Sequence, residues 1–178
     1  QGMRFVRSYV ANSICAPARA CVLTGQHSHK NGVLDNVSDD AGVIDYSRVT
    51  TFPQVLQEAG YTTALFGKWH LKTQPQGFHE WAVLPGQGKY YDPVFRVRDP
   101  SNGSGERRET IRGTHSSQAI MDKTIAYLET IVPSDNPFLL MCQFKAPHRA
   151  WEPDWDLVDF YGDTEFPHPV TLHDDYAT

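Results

Sequence analysis

Three short segments of the sequence carry side chains that can bind an anion or take part in catalysis. In the first segment, the thiol of Cys15 is followed by Pro17 and then by Arg19. Because proline favours the first turn of a helix, this spacing predicts a helix N-terminus with a guanidinium one turn further along. Helix N-termini and guanidinium groups both attract anions, so the segment predicts an anion site beside a thiol. A buried structural cysteine beside a surface arginine is the alternative interpretation.

The other two segments place basic side chains after apolar runs of strand length. Lys68 and His70 follow one such run within the letters GKWHL, and His148 follows another within KAPHR. Ligands of open α/β sheets bind at the carboxyl ends of strands, so we expect these side chains near one site. Lysine binds anions as a point charge, and histidine exchanges protons near neutral pH. Lys68 and His70 would share one side of an extended segment, whereas for Lys145 we favour a solvated surface position.

Periodicity and turn residues predict the elements that position these segments. A short helix over Pro17–Leu23, ended by Gly25, lies next to Cys15. Four further elements follow: a helix from the N-cap Thr51 to Gly60, a strand over Tyr61–Phe66, a helix over Ser116–Ile131 and a strand over Phe138–Phe144. The helices follow from apolar residues at helical spacing and from their terminal residues. Near-continuous apolar runs are typical of buried parallel strands, and the alternation of helix and strand indicates an α/β layer architecture.

The remaining segments are predicted to be irregular, with one exception. Met3–Val10 mixes β-branched and aromatic residues, which predicts a short strand. Gln26–Ser47 is polar and rich in turn residues, and 72–113 is rich in glycine, proline, glutamine and arginine. The chain from Ala146 onward is interrupted by prolines. We predict loops for all three, and a loop as long as 72–113 is expected to carry function or decoration.

Composition limits the class of protein. The chain has 178 residues, enough for about one domain, and its 40% hydrophobic and 21% charged residues argue against disorder. A net charge of −5 disfavours a general nucleic-acid binder, and no apolar run reaches the roughly 18 residues of a membrane span. Three cysteines without a CxxC pair indicate neither a disulfide framework nor a zinc site. The first residues lack an initiator methionine and are typical of the interior of a sequence, so we expect a fragment.

Cys-x-Pro-Ala-Arg followed by Thr24-Gly25, then GKWHL, then APHR, resemble in this order the motifs of the type I sulfatases. The resemblance covers essentially the whole chain but only part of a sulfatase. It implies an α/β, alkaline-phosphatase-like sandwich with a mostly parallel central sheet and helices on both faces, partial in this chain. Residues 1–178 would then be a fragment of the N-terminal catalytic domain, with the C-terminal part missing and with no activity on its own.

The resemblance also implies a role for each motif residue. Cys15 matches the cysteine that a maturation enzyme oxidises to formylglycine, whose hydrated aldehyde attacks the sulfur of a sulfate ester. Arg19 matches the arginine that contacts the hydrated aldehyde, and Lys68 matches the lysine that binds a sulfate oxygen. His70 would contact the formylglycine and help the sulfated intermediate to collapse. His148 would contact the ester and protonate the leaving alcohol.

A divalent cation, usually calcium, belongs to the family that this sequence resembles. Its ligands are hard oxygen atoms, which also suit magnesium. Of this metal shell only position 15 is present, so Cys15, as formylglycine, is the implied metal ligand within the chain. The adjacent acids Asp39-Asp40 and Asp174-Asp175 do not end predicted buried strands, and we interpret them as loop acids. The other ligands are expected outside residues 1–178.

Two segments indicate the substrate. Residues 84–93 and 165–176 resemble segments of sulfatases that act on sulfated carbohydrates, in the branch of N-acetylglucosamine-6-sulfatases and heparan-type enzymes. The resemblance therefore implies a sulfuric ester hydrolase that removes sulfate from a sulfated carbohydrate, in the periplasm or outside the cell. A decorative surface loop is the alternative for residues 84–93.

Three other functions stay open on the sequence alone. A phosphoesterase of the same superfamily would usually use threonine or serine rather than Cys15 as its nucleophile. A non-catalytic protein would bind sulfated glycans on a sulfatase scaffold. An unrelated cysteine hydrolase would pair Cys15 with His70 or His148. Lys68 and His70, taken without the other motifs, are also compatible with a surface lysine and a packing histidine.

Overall fold

The computed structural model describes residues 2–174 of the chain. Its elements, in chain order, are α1 Cys15–Thr24, α2 Ser28–Asn31, α3 Phe52–Glu58, β1 Thr62–Lys68, β2 Glu80–Leu84, β3 Val94–Arg98, β4 Glu106–Thr110, α4 Ser116–Ile131, β5 Phe138–Gln143 and a 3₁₀ turn Trp155–Leu157. Of the residues noted in the sequence, Asp175 and Tyr176 lie outside the described part of the chain. The order of helices and strands confirms the predicted α/β class.

Five strands form one sheet in the order β4-β3-β2-β1-β5. β1 runs parallel to β2 and to β5, as predicted for the two apolar runs, whereas β3 is antiparallel to both of its neighbours. The register pairs Gly67 of β1 with Gln143 of β5. Lys68 and the segment after Gln143 therefore emerge side by side at the carboxyl ends of two parallel strands.

Helices cover both faces of this sheet. Leu65 of β1 packs in one apolar cluster with residues of α1, and Phe66, next to it, packs in a second cluster with Ile120 of α4. The alternation follows from the pleat, which sends successive side chains to opposite faces. Leu65 and Ile120 are fully buried, and each such side chain stabilises the fold by roughly 1.5–3 kcal/mol. Because both faces of β1 are buried, the end of the strand holds Lys68 in a fixed position.

The predicted helices form with close to the expected bounds. The helix over Ser116–Ile131 is confirmed, and α3 begins after Thr51, whose side chain and that of Gln54 form a reciprocal capping box. The helix predicted from Pro17 begins two residues earlier, at Cys15, and ends before Gly25, which has the left-handed φ of 64° that suits glycine. Cys15 is therefore the first residue of the helix rather than the residue before it.

The loop predicted over residues 72–113 is wrong, because it contains β2, β3 and β4. β2 is a short apolar strand buried on both faces, and β3 alternates buried and more exposed residues. β4 is a charged edge strand with Glu106 paired to Arg96 of β3 at 2.6 Å and Glu109 paired to Lys123 of α4 at 2.6 Å. The charged side chains of β4 thus form ion pairs with β3 and α4. The polar composition of residues 72–113 does not reveal these pairs.

Two smaller predictions also differ from the structure. Residues 3–10 form no strand within the described chain and are exposed, since no neighbouring strand pairs with them there. The loop predicted over Gln26–Ser47 includes the short helix α2. The segment after Ala146 is irregular as predicted, apart from the 3₁₀ turn. In the described part of the chain, the helices are too short or too polar to cross a membrane.

Candidate active site

The end of the sheet carries a cleft of about 440 Å³, called here the Cys15 cleft. Cys15 at the start of α1, Arg19 one turn later, Lys68 at the end of β1 and His148 after β5 all line it. Lys145 lines it as well. Four of the five site residues predicted from the sequence thus meet in one place, although Cys15 and His148 are far apart in the chain.

Arg19 fastens the helix α1 to the ends of two strands. Its Nη1 donates to the carbonyl oxygen of Lys68 at 2.5 Å and to Oε1 of Gln143 at 2.6 Å. The guanidinium is therefore part of the framework and not a solvated surface group. Burial lowers its pKa from the usual value, while Cys15 acts in the opposite direction, and a guanidinium stays charged in either case.

The ammonium of Lys68 reaches into the cleft from a buried strand end. Lys68 is 3% exposed, and its Nζ donates to Oε1 of Gln87 at 2.7 Å. Burial lowers the pKa of Lys68 first of all, Cys15 raises it, and the cations Arg19 and Lys145 lower it. A partly desolvated ammonium beside other cations gains from binding an anion, since the anion offsets both costs.

Lys145 corrects an expectation from the sequence, which favoured a solvated surface position. The side chain is 6% exposed, its Nζ donates to the carbonyl oxygen of Gln87 at 3.2 Å, and it lies 4.5 Å from the centre of the Tyr90 ring. Lys145 follows the end of β5, where Gln87 and Tyr90 contact its side chain and shield it from solvent. Lys145 is thus a buried cation of the site.

His148 is oriented by its own loop. Its Nδ1 lies 2.6 Å from the carbonyl oxygen of Arg149, and since a carbonyl only accepts, Nδ1 carries the donated proton. The second ring nitrogen, Nε2, is then left for a ligand in the cleft. The hydroxyl of Tyr90 donates to the carbonyl oxygen of His148, and Tyr90 stacks on His115 with ring centres 5.3 Å apart. These contacts fix the loop that carries the imidazole.

His70 takes a different position from the one predicted. The strand ends at Lys68, and His70 has a left-handed φ of 54°, so the two side chains do not share one side of an extended segment. His70 lines an adjacent cavity of about 330 Å³ with Ala16 and Asn36. Within residues 2–174, its buried Nδ1 has no hydrogen-bond partner.

The charge state of His70 is set by burial and by the cations around it. Burial lowers its pKa from the usual 6.5 to about 4, and the cations Lys68 and Arg19 act in the same direction. The imidazole is therefore neutral at neutral pH and can accept a proton. The cations of the Cys15 cleft therefore affect the pKa of His70, although His70 lines the neighbouring cavity.

Sequence reasoning missed two glutamines that hold the cations in place. Oε1 of Gln143 accepts a hydrogen bond from Arg19. Gln87 accepts one from Lys68 with its side-chain Oε1 and one from Lys145 with its main-chain carbonyl oxygen. Gln87 lies in the segment 84–93, which resembles a segment of sulfatases that act on sulfated carbohydrates. No local pattern marks either residue, because each acts on a side chain far away in the sequence.

A metal site is not complete within the described residues. Residues 2–174 contain no group of three or more histidine, cysteine, aspartate or glutamate side chains that fits a metal ion. Asp39 and Asp40 lie in an irregular, exposed segment, in line with their interpretation as loop acids. The described residues therefore do not fit a calcium ion by themselves, and the chemistry of the cleft is derived from its own side chains.

Comparison with known proteins identifies relatives over nearly the whole chain. The sequence profile of the family described as Sulfatase matches residues 1–173. The N-acetylglucosamine-6-O-sulfatase of Bacteroides thetaiotaomicron is 41% identical over 179 residues, covering 99% of this chain and 30% of that protein. The human N-acetylglucosamine-6-sulfatase is 26% identical over 165 residues, covering 84% of this chain and 29% of that protein. The chain thus spans about a third of the length of these curated relatives.

Solved structures agree with the sequence matches. A structure solved in complex with its substrate D-glucosamine-2-N,6-O-disulfate has a TM-score of 0.79 and 41% identity, covering 97% of this chain and 33% of that one. The yidJ protein of Bacteroides fragilis has a TM-score of 0.71 at 18% identity, covering 88% of this chain and 39% of that one, and supports the fold alone. The structural neighbours confirm the alkaline-phosphatase-like α/β fold. The profile match, together with the motif residues gathered in the Cys15 cleft, establishes that the chain belongs to the sulfatase family.

Proposed function

We propose that residues 1–178 are the nucleophile-bearing part of the catalytic domain of a sulfatase that hydrolyses a sulfate ester of a carbohydrate. The observation that carries the proposal is the meeting of Cys15, Arg19, Lys68 and His148 in one cleft at the strand ends. Three of these groups suit a sulfate ester: two cations for its oxygens and an imidazole for the leaving alcohol. The fourth is the precursor of the nucleophile.

The nucleophile is proposed to be formylglycine made from Cys15 by a maturation enzyme. Its hydrated aldehyde supplies an oxygen that attacks sulfur, and the S–O bond to the alcohol breaks. Lys68, and Arg19 where it faces the cleft, stabilise the negative charge on the sulfuryl oxygens, which is the role of fixed donors in an oxyanion hole. The same residue at position 15 would give one oxygen ligand to a calcium or magnesium ion.

The two histidines divide the proton transfers. Nε2 of His148 is free of the loop hydrogen bond that occupies Nδ1, so a protonated imidazole presents Nε2–H to the departing alcohol oxygen. His70 is neutral at neutral pH because its pKa is lowered to about 4 by burial and neighbouring cations. It therefore suits the complementary task of accepting the proton of the remaining hydroxyl on the sulfated hydrate, so that the C=O bond forms again, the C–O bond to sulfate breaks and sulfate leaves.

The substrate class is proposed from the relatives. An N-acetylglucosamine-6-O-sulfatase is 41% identical to this chain, and the similar solved structure is in complex with glucosamine carrying two sulfates. We propose a 6-O-sulfated glucosamine sugar as the substrate. Because such sugars belong to glycans outside the cytoplasm, we propose a periplasmic or secreted location, which fractionation of the host cells tests.

Peptide mass spectrometry combined with product analysis tests the proposal. In protein produced by its own host, we expect the peptide around Cys15 to carry formylglycine, and we expect sulfate release from N-acetylglucosamine-6-sulfate but no phosphate release from the 6-phosphate. Faster phosphate release would favour the phosphoesterase alternative. Active protein with an unmodified Cys15 would contradict the mechanism and favour a thiol hydrolase. Unmodified, inactive protein that binds the sugar would favour a non-catalytic scaffold.

Replacing His148 with alanine is expected to slow the hydrolysis of alkyl sulfates far more than the hydrolysis of aryl sulfates. General-acid catalysis contributes about 10²–10⁴-fold, and a phenolate with a low pKa leaves without needing the proton. We therefore expect roughly a 10²-fold loss or more in kcat for a sugar sulfate and a loss under about 10-fold for nitrophenyl sulfate. His29→Ala, at an exposed histidine of α2 that does not line the Cys15 cleft, serves as the control and should leave both rates unchanged. Equal losses on the two substrates would contradict the acid role of His148.

A further inference from the structure

Within residues 2–174, Lys145 is a buried cation without a carboxylate partner. Its ammonium has one hydrogen bond, to the carbonyl oxygen of Gln87 at 3.2 Å, and the face of the Tyr90 ring at 4.5 Å. No ion pair within residues 2–174 includes Lys145. Burying a charge without a counter-charge is unfavourable, and a carbonyl with a ring face offsets only part of the cost. An anionic group of a ligand would supply the rest.

The position of Lys145 indicates which ligand group that is. The side chain lines the Cys15 cleft and also a second cleft of about 340 Å³, called here the tyrosine cleft, with Lys89, Tyr90, Tyr91 and Glu152. Lys145 is the residue that the linings of the two clefts share. A ligand whose sulfate lies beside Cys15 and whose sugar extends towards the tyrosines would pass Lys145.

Gln87 connects Lys145 with Lys68. Its side chain holds the ammonium of Lys68 at 2.7 Å, and its main-chain carbonyl holds the ammonium of Lys145 at 3.2 Å. One residue thereby contacts both cations. A ligand with two anionic groups on one ring can place one group at Lys68 and the other at Lys145, so that each anion has its own donor.

We propose that Lys145 binds a second anionic substituent of the sugar, distinct from the sulfate that is hydrolysed, and so makes the site selective for doubly charged sugars. The inference rests on the proposed function and names the part of the substrate that Lys145 recognises. Glu152 lies at the tyrosine cleft without pairing to Lys145, so the anion binds on the Lys145 side of that cleft.

Kinetics with two matched substrates test the proposal. Glucosamine-2-N,6-O-disulfate carries the second anion, and N-acetylglucosamine-6-sulfate has the same 6-sulfate without it. We expect the unaltered enzyme to prefer the disulfate, and Lys145→Gln to lower kcat/KM for the disulfate by roughly 10–100-fold and for the monosulfate by less than about 3-fold. Lys145→Arg should keep most of the preference. Lys30→Gln, at an exposed lysine of α2 that lines neither cleft, is the matched control and should change neither rate.

The outcomes separate this inference from the proposed function. The proposed role of Lys145 would be overturned if the unaltered enzyme showed no preference between the two substrates. It would also be overturned if Lys145→Gln lowered kcat/KM equally for both, and neither result would contradict sulfate hydrolysis itself. An unaltered enzyme that hydrolyses neither substrate would contradict the proposed function instead. Calorimetry on Cys15→Ala protein, with and without Lys145→Gln, makes the same comparison without turnover, and equal binding of the disulfate would overturn the inference. Thermal unfolding of the variants excludes a general loss of fold.

Discussion

Cys15→Ala is expected to lower kcat/KM for a sulfated sugar by roughly 10⁴-fold or more, because the proposed formylglycine cannot be made without the Cys15 thiol. Cys15 is the first residue of α1 and lines the cleft that Lys68 and His148 also line. Alanine suits a helix and adds no bulk, so the fold should be unchanged. Sulfate release measured under single-turnover and steady-state conditions, with thermal unfolding as a check, gives the result.

Cys21→Ala is the matched control for this substitution. Cys21 lies on the same helix and is half-buried, but its sulfur faces Ser28 at 3.5 Å rather than the cleft. Its loss should leave kcat/KM within about 3-fold of the unaltered enzyme. Activity of Cys15→Ala within 10-fold would refute the nucleophile assignment. Treatment with a thiol alkylator separates the remaining cases, since a matured enzyme has no thiol at position 15 and should resist it.

The electrostatics of the cleft support an anionic substrate more strongly than any one motif does. Arg19, Lys68 and Lys145 are gathered at one end of a chain whose net charge is −5, and no ion pair within residues 2–174 uses them. A cleft lined by one sign of charge concentrates ligands of the opposite sign and speeds their arrival. The unfavourable free energy of holding these cations together is offset when an anion binds.

Much of the framework was predictable because its signals are local. The helix over Ser116–Ile131 has apolar residues at helical spacing, and the strands before Lys68 and after Pro137 are apolar runs of strand length. Parallel strands bring their carboxyl ends to one edge, so two motifs after two such strands had to lie close together. The expected meeting of Lys68 and His148 follows from that rule alone.

The parts that sequence reasoning missed depend on contacts between distant residues. Arg19 donates a hydrogen bond to Gln143, which is far away in the sequence, and Gln87 accepts hydrogen bonds from both Lys68 and Lys145. No local sequence pattern around a glutamine predicts such a partner. The burial of Lys145 depends on its contacts with residues 87–90. His70 leaves the plane of the strand because its φ is positive, which no spacing argument anticipates for a histidine.

Gly67→Ala is expected to lower the free energy of unfolding by about 3 kcal/mol or more. Gly67 has a φ of 109°, and an added Cβ would overlap the carbonyl oxygen of Gln143 and lie 2.7 Å from its carbonyl carbon. Those atoms belong to the backbone of β5, so they can give way only if the two strands separate. The added methyl would thereby disturb the strand end that carries Lys68 and the glutamine that receives Arg19. Urea unfolding measures the change.

Gly113→Ala isolates the backbone contribution to this loss. Gly113 also has a positive φ, 68°, but a Cβ there would meet no heavy atom within 4 Å. Alanine at that position should therefore cost only the strain of a left-handed residue, about 1 kcal/mol. Equal losses for the two variants would contradict the close approach of β1 and β5 at Gly67. Arg19 depends on both strand ends for its position. A larger loss of unfolding free energy for Gly67→Ala, together with weaker sulfate binding by the protein that still folds, would therefore show that the packing of these strands supports the anion site.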